Sequence, residues 1–501
     1  MIQDAALGFS QASQVSSLIA TAIGVMIGLT VGMIPGMTIS TGIIIVLPLT
    51  YALDPNISIA LLLGLYVAGM TGGSFTAILL NIPGTPSASA TAIDGFPLKE
   101  RGEAGRALGI AIVASFIGGI VSFACLYLIA PQLADLALNF RAPDLFALVL
   151  FGLTIICSFA AKSLIKGLLS AALGLMIVTI GQDPMMGTAR FTFDNVNLLS
   201  GVHFLTAMIG LFAIPELVKS ICTPVTMVPE TQKKIGSFWS VFPRFSDLKR
   251  IIRPVLIGSP IGSFLGLLPG AGGPIAAFIS YDYAKKSSKN PEGFGKGSVE
   301  GIAAPESANN AVTGGALVPM MTLGIPGDPV TAILIGALLV HGLAPGPLLF
   351  IERGDFAYGL IFSFLFANIF NLILALTGVR LLVKLLNTPR ALMMPTIGLL
   401  CVIGSYALRN SFFDIYIMLA FGIIGLIMRW VDMPVVPLLL ALVLGKPLEE
   451  HLRVSLTSSQ GDYMIFLQSP FSVGFLSLAV LSVIWSLVIE PWRDKRRANN
   501  V

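Results

Sequence analysis

Charged side chains are what this chain has least of. Only 11% of its 501 residues are Asp, Glu, Lys or Arg, against 55% hydrophobic, which is too little polar surface to cover a soluble globule of this size. The chain reads as an all-α polytopic membrane protein. Its formal net charge of +4 is what juxtamembrane Lys and Arg leave behind, so no nucleic-acid partner is expected. Histidine is also rare: His203, His341 and His451 are scattered and none opens a His-Glu-x-x-His pair, which removes the usual metallohydrolase. Cys125, Cys157, Cys222 and Cys401 stand singly in apolar runs, as buried filler and not metal ligands. A Walker A loop is missing, so this chain does not itself hydrolyse ATP. Gly324 to Asp328 superficially suggests an intramembrane aspartyl protease, but Ile325 stands where the Gly-x-Gly-Asp pattern needs its first glycine. No enzyme and no cofactor are expected. Positive charge is absent until Lys99, so the start lacks the charged region of a cleavable signal peptide and its first apolar run should be retained.

What the chain does contain is apolar runs, recurring from residue 16 to residue 490, roughly 11 to 13 candidate spans of about 20 residues. One stretch occurs twice. Gly28 through Gly32, Pro35-Gly36, Thr38, Ser40 and Thr41 is answered by Gly262 through Gly266, Pro269-Gly270, Gly272-Gly273 and Pro274. Each copy is followed by Thr-Gly-Gly (Thr71 to Gly73; Thr313 to Gly315), then by a second Pro-Gly turn: Asn81-Ile-Pro83-Gly84-Thr85-Pro86 and Gly324-Ile-Pro326-Gly327-Asp328-Pro329. Glu100-Arg101-Gly102 and Glu352-Arg353-Gly354 close the pattern. Landmarks in the same order argue for a duplication of about half the chain. The expected organisation is a first membrane repeat over 1–222, a cytoplasmic basic linker over 223–253, a second membrane repeat over 254–490 and a cytoplasmic basic tail over 491–501.

Met1 to Ser16 carries only Asp4, whereas the linker holds Lys233, Lys234, Arg244, Lys249, Arg250 and Arg253. An outside start and an inside linker require an odd number of crossings in the first half, so the second half would enter the membrane upside down as an inverted-topology repeat. The basic tail conflicts with two strictly equal halves; an extra crossing, or an interfacial segment such as Gly201 to Ile221, would resolve it. Asn81 to Pro97 is small, hydroxyl-rich and free of Lys and Arg, and reads either as an exposed loop or as part of a site. Lys285 to Gly301 reads as a soluble insert.

The Pro-Gly breaks carry the chemistry. A helix interrupted or re-entrant within a membrane leaves N–H and C=O groups that hydrocarbon cannot satisfy, and such backbone persists only where protein, water or a ligand meets it. A half-helix N-terminus suits an anion, and freed carbonyls suit a cation.

These motifs, with Asp94-Gly95 and Pro305-Glu306-Ser307-Ala308-Asn309-Asn310, closely resemble the large membrane subunit of tripartite tricarboxylate transporters over nearly the whole chain. The resemblance implies a permease of the bacterial inner membrane that works with a small membrane subunit and a periplasmic solute-binding protein, takes carboxylates and is driven by an ion gradient. It does not name the substrate. No Lys or Arg lies within the four Pro-Gly motifs, so a multiply charged anion would rely on helix ends, hydroxyls, amides and a co-bound cation, Na⁺ or H⁺. The candidates for meeting the carboxylates are Gly36, Thr38, Ser40, Gly84, Thr85, Ser87, Ser89, Gly270, Gly272, Gly327 and Thr331. Those for the cation are Asn81, Asn309, Asn310 and Asp328, and Glu306 is either a proton site or a helix-capping acid. A channel, or a permease for a non-carboxylate solute, is the alternative.

Overall fold

The computed structural model describes residues 2–34, 37–160, 164–222, 241–270, 272–385 and 390–484. Gly36, residues 223–240 of the linker and the basic tail lie outside the described residues. In chain order the helices are α1 (Ile2–Ala12), α2 (Val15–Met33), α3 (Ile39–Thr50), α4 (Pro55–Leu80), α5 (Ala88–Glu100), α6 (Ala104–Ala137), α7 (Ala142–Ala160) and α8 (Leu164–Val178). A hairpin of β1 (Gly181–Gln182) and β2 (Ala189–Arg190) precedes α9 (Phe204–Cys222). There follow α10 (Phe245–Leu267), α11 (Gly272–Ser287), α12 (Val299–Leu323), α13 (Pro329–Val340), α14 (Pro347–Glu352) and α15 (Gly354–Leu385). The last are α16 (Arg390–Ala407), α17 (Phe412–Trp430), α18 (Val435–Ser458) and α19 (Pro470–Ile484). Among the described residues the fold is therefore all-helical apart from one short hairpin.

Among the described residues five helices, α2, α4, α6, α15 and α17, are long and apolar enough to cross a membrane, and six shorter apolar helices accompany them. Five long and six shorter helices make eleven apolar helices among the described residues, within the roughly 11 to 13 apolar segments read from the sequence. Proline starts the short helix α13 at Pro329, directly after the Pro326-Gly327 turn. The chain is a multi-pass membrane protein.

Packing divides it into two compact units, each discontinuous in sequence: Met1–Ala134 with Glu216–Gly404, and Asp135–Pro215 with Ser405–Val501. The first unit is built on two close helix pairs. Gly24, Gly28 and Gly32 of α2 recur every fourth residue, so they share one helix face. A Cβ on them would lie 2.0, 2.4 and 2.3 Å from the carbonyl oxygens of Leu61, Leu65 and Gly69 in α4. Gly258, Gly262 and Gly266 of α10 meet the carbonyls of Ala304, Ala308 and Val312 in α12 at 2.4, 2.1 and 2.6 Å. Only hydrogen fits at these six positions, and backbones held this close gain dispersion contacts that hydrocarbon would not supply.

The two pairs match contact for contact. Gly72 packs on Leu29 and Gly32 as Gly315 packs on Ser263 and Gly266, which moves the correspondence one residue from the Thr-Gly-Gly match. Both long helices then end in the left-handed region, α4 at Asn81 (φ 57) and α12 at Gly324 (φ 67). The described end of the linker is not loop: Phe245 opens α10, whose Asp247 accepts from Arg106 Nε (2.8 Å) and Nη2 (2.5 Å) of α6.

The Asn81 to Pro97 stretch is a tight turn leading into α5, with Ala88, Ala90, Thr91 and Asp94 buried, so it is not an exposed loop. Asp94 also explains the Lys285 to Gly301 insert. Its Oδ1 accepts from the N–H groups of Gly295, Gly297 and Ser298 at 2.9, 2.9 and 2.7 Å, and its Oδ2 accepts from Tyr281 at 2.9 Å. Gly295 (φ 80) and Gly297 (φ 94) supply the left-handed turns that aim three donors at one oxygen.

The second unit packs α8 and α18 with the Phe421 and Met428 face of α17 and with Ala207 and Leu211. Ser170 and Lys166 of α8 donate to the carbonyls of Pro434 and Val431. In the loop after α8, Asp183 accepts from the N–H groups of Met185 and Met186 at 2.8 Å and from Arg453 at 2.7 Å, while Arg190 pairs with both oxygens of Glu449 at 2.7 and 3.1 Å. The Met186 N–H first, and then the Arg453 guanidinium, hold the Asp183 carboxyl at about 2, below its ordinary 3.8. A depressed carboxylate contributes stability that is complete above its unfolded value and is lost as pH falls through the folded one. Asp183→Asn should therefore lower the melting temperature in detergent above about pH 4. The difference from the parent should shrink between about pH 4 and about pH 2; a pH-independent difference would assign the effect to packing.

Candidate functional site

The site lies in the first unit, where the turn after each long helix meets the break before the other half's short helix. Gly84 N–H donates to the carbonyl of Gly73 (3.2 Å), and a Cβ on Gly84 would lie 2.1 Å from the carbonyl oxygen of Gly32. This seats Thr85 and Ser87, both buried, at the start of α5, their hydroxyls 3.2 Å apart. Ser89 is half-buried in the same first turn. On the other side Gly270 N–H donates to the carbonyl of Gly327 (2.9 Å), and the chain turns through Gly272 (φ 65) into α11. The N-terminal turns of α5 and α11 come together at Gly273: a Cβ there would lie 3.4 Å from Ser87 Cβ and 2.8 Å from Asn309 Oδ1. Two helix starts thus meet at one spot, one from each half, with the positive ends of their dipoles together; the N–H groups of Ala88, Ser89 and Ala90 in α5 donate to the carbonyls of Thr85, Pro86 and Ser87.

Asn309 is 1% exposed; its Nδ2 donates to the carbonyl of Met70 (3.3 Å) and its Oδ1 has no partner among the described residues. Its neighbour Asn310 accepts from Thr71 Oγ1 (3.4 Å), and Asn371 Nδ2 of α15 donates to the same hydroxyl (2.8 Å). Asn81 stands apart as the exposed left-handed cap of α4.

The mirrored meeting is between α13 and α3. Asp328 caps α13: its Oδ1 accepts from Thr331 N–H (2.7 Å) and Oγ1 (2.9 Å), while Asp328 N–H donates back to Thr331 Oγ1 (2.9 Å), a capping box. Its Oδ2 accepts from Tyr66 of α4 (2.5 Å). Both carboxylate oxygens and the Thr331 hydroxyl are engaged within the protein. Thr38 caps α3 by accepting from Thr41 N–H (3.1 Å); Ser40 and Thr41 are buried, and α3 packs on α13 and α4.

Glu306 lies inside α12, more than a turn from either end, so it does not cap its own helix. Fully buried, it accepts from Thr91 Oγ1 of α5 (2.5 Å) and Ser115 Oγ of α6 (2.9 Å). Among the described residues no Lys or Arg hydrogen-bonds or pairs with Glu306, Asp328, Asn309 or Asn310.

Motif reading points to Thr85, Ser87, Asn309, Asn310, Asp328 and Glu306 as site residues and to Thr71 only as a repeat landmark; it does not point to Tyr66, Thr91, Ser115 or Asn371. A signal for the last existed: Asn368 and Asn371 are amides inside an otherwise apolar span, where unpartnered polar groups are costly.

A model of the tripartite tricarboxylate transporter TctA family matches residues 18–440. The chain is 37% identical over 499 residues to an uncharacterized 52.8 kDa protein from the TAR-I ttuC' 3' region of Agrobacterium vitis, covering 99% of this chain and 98% of that one. It is 41% identical over 235 residues to an uncharacterized protein from the TAR-II ttuC' 3' region of the same organism, covering 47% of this chain and 97% of that one. No solved structure matches. The likeness of motifs is thus borne out along most of the sequence, and the chain belongs to the tripartite tricarboxylate transporter TctA family.

Proposed function

We propose that this protein is the large permease subunit of a secondary transporter that imports carboxylates, tricarboxylates among them, across the bacterial inner membrane. It works with a small membrane subunit and a periplasmic solute-binding protein, by cation symport and alternating access. The observation that carries this reading is the meeting of the α5 and α11 starts at Ser87 and Gly273. Two positive dipole ends there, with the Thr85 and Ser87 hydroxyls beside them, suit a carboxylate in a place without Lys or Arg. With no fixed positive charge to balance the anion, a co-bound cation lowers the cost of carrying it through hydrocarbon. Asn309 Oδ1, an acceptor without a partner, is our choice of ligand beside the substrate; Asp328 contributes negative charge, and Glu306 is the group for a proton. The matched contacts of α2–α4 and α10–α12 support two inverted repeats, 1–222 and 254–490, as the alternating halves.

The test is counterflow in proteoliposomes holding both membrane subunits and loaded with unlabelled citrate. A carrier gives a transient uphill accumulation of labelled citrate. Simple equilibration would assign a channel instead.

A further inference from the structure

We propose that Thr71, Asn310 and Asn371 form a subsite for a hydroxyl group, so that the protein selects hydroxycarboxylates over their deoxy counterparts. The inference rests on the carboxylate reading above. The three side chains come from α4, α12 and α15, and each is fully buried. They form one chain of hydrogen bonds: Asn371 Nδ2 donates to Thr71 Oγ1 (2.8 Å), which donates to Asn310 Oδ1 (3.4 Å). Left over are an acceptor, Asn371 Oδ1, and a donor, Asn310 Nδ2, neither with a partner among the described residues.

Amide oxygen and nitrogen positions are assigned from such networks, and here the chain of bonds spends the Thr71 proton between the two amides. Thr71 has one hydroxyl proton, so reversing the chain's direction only exchanges which amide keeps the free donor. One donor and one acceptor remain in either direction. A bare cation would need acceptors alone and a carboxylate donors alone; a hydroxyl, which donates and accepts, matches both. Along the backbone the subsite is one residue from groups at the carboxylate-facing turns. Asn310 follows Asn309, whose Oδ1 lies by Gly273, and Thr71 follows Met70, which accepts from Asn309 Nδ2. A substrate with one carboxylate at Ser87 and Gly273 must then reach Asn310 with a neighbouring hydroxyl.

The experiment is direct binding to the complex of both membrane subunits in nanodiscs, without the solute-binding protein, whose own selectivity would mask the effect. The probes are citrate and propane-1,2,3-tricarboxylate, which differ by one hydroxyl. The parent should bind citrate at least about tenfold more tightly, because the deoxy ligand leaves a buried donor and acceptor unpaired. Asn371→Leu and Asn310→Leu should bring that ratio toward one by weakening citrate. Thr71→Ser should preserve the ratio and Thr71→Val should lose it, which keeps the test decisive if a Leu variant does not fold. Asn368→Ala, on the same helix but outside the chain of bonds, should leave the ratio unchanged. Equal binding of the two ligands by the parent, or a ratio that survives Asn371→Leu and Thr71→Val, would overturn the proposal and leave a structural water as the partner of the two amides. If neither ligand nor any other carboxylate binds, the carboxylate reading itself fails.

Discussion

Gly84→Ala should cost about 3 kcal/mol or more of stability and lower the melting temperature of the purified protein by about 5 °C or more. The added methyl would lie 2.1 Å from the Gly32 carbonyl oxygen and 3.0 Å from Gly73 Cα and Thr76 Oγ1. Overpacking typically costs about 1 to 3 kcal/mol when side chains can turn aside, and here the obstacle is backbone. Gly327→Ala in the second half, 2.7 Å from Ala316 Cα, should behave alike. Gly378→Ala is the control: it meets nothing nearer than Leu382 Cδ1 at 3.7 Å, and a helix-interior Gly→Ala change there should be neutral or stabilising by up to about 1 kcal/mol. Thermal scans of the three variants decide it; equal behaviour of Gly84→Ala and Gly378→Ala would remove the packing argument. The result bears on function, because close packing already demands glycine at 84 and 327 whether or not substrate touches them.

Asp328→Ala should be comparably damaging and Asp328→Asn mild. Alanine removes the α13 cap, worth about 1 kcal/mol, and strands the Tyr66 hydroxyl in the interior, worth about 1 to 3 kcal/mol. Asparagine keeps an oxygen for the Thr331 N–H and a second polar atom near Tyr66, while removing the charge. If that charge helps hold the coupling cation, Asp328→Asn should insert normally, bind the small subunit and need several-fold more Na⁺ for half-maximal citrate uptake. An unchanged Na⁺ requirement in a well-folded variant would confine Asp328 to capping. Tyr66→Phe separates the contributions further, since it deletes the hydrogen bond and retains the carboxylate.

The contrast between Gly84 and Asn371 shows what sequence reading reaches. Pro83-Gly84-Thr85 and Pro326-Gly327-Asp328 are local signals, because proline and glycine declare their backbone geometry whatever surrounds them. The turns, the helix starts beside them and their pairing between halves were legible for that reason. Tyr66 with Asp328, and Thr71 with Asn371, join residues 262 and 300 positions apart, and nothing in a local pattern states which face of one helix meets which face of another. The slip between the Thr-Gly-Gly match and the Gly72 to Gly315 correspondence has the same origin. Identity of letters suggested one register, whereas the space available to a Cβ fixes the other.

The Asp94 clamp has a mechanical consequence. Asp94 lies seven residues from Ser87, two helical turns or about 10 Å along α5. At Asp94, midway along it, this stiff rod is fastened to the 295–298 segment by three hydrogen bonds and to Tyr281 of α11 by a fourth. Its N-terminal end is the turn that meets Gly273. A displacement of the lysine-bearing surface segment is therefore a displacement of the turn at the proposed binding spot. The helix acts as a pushrod between the protein's outside and its interior.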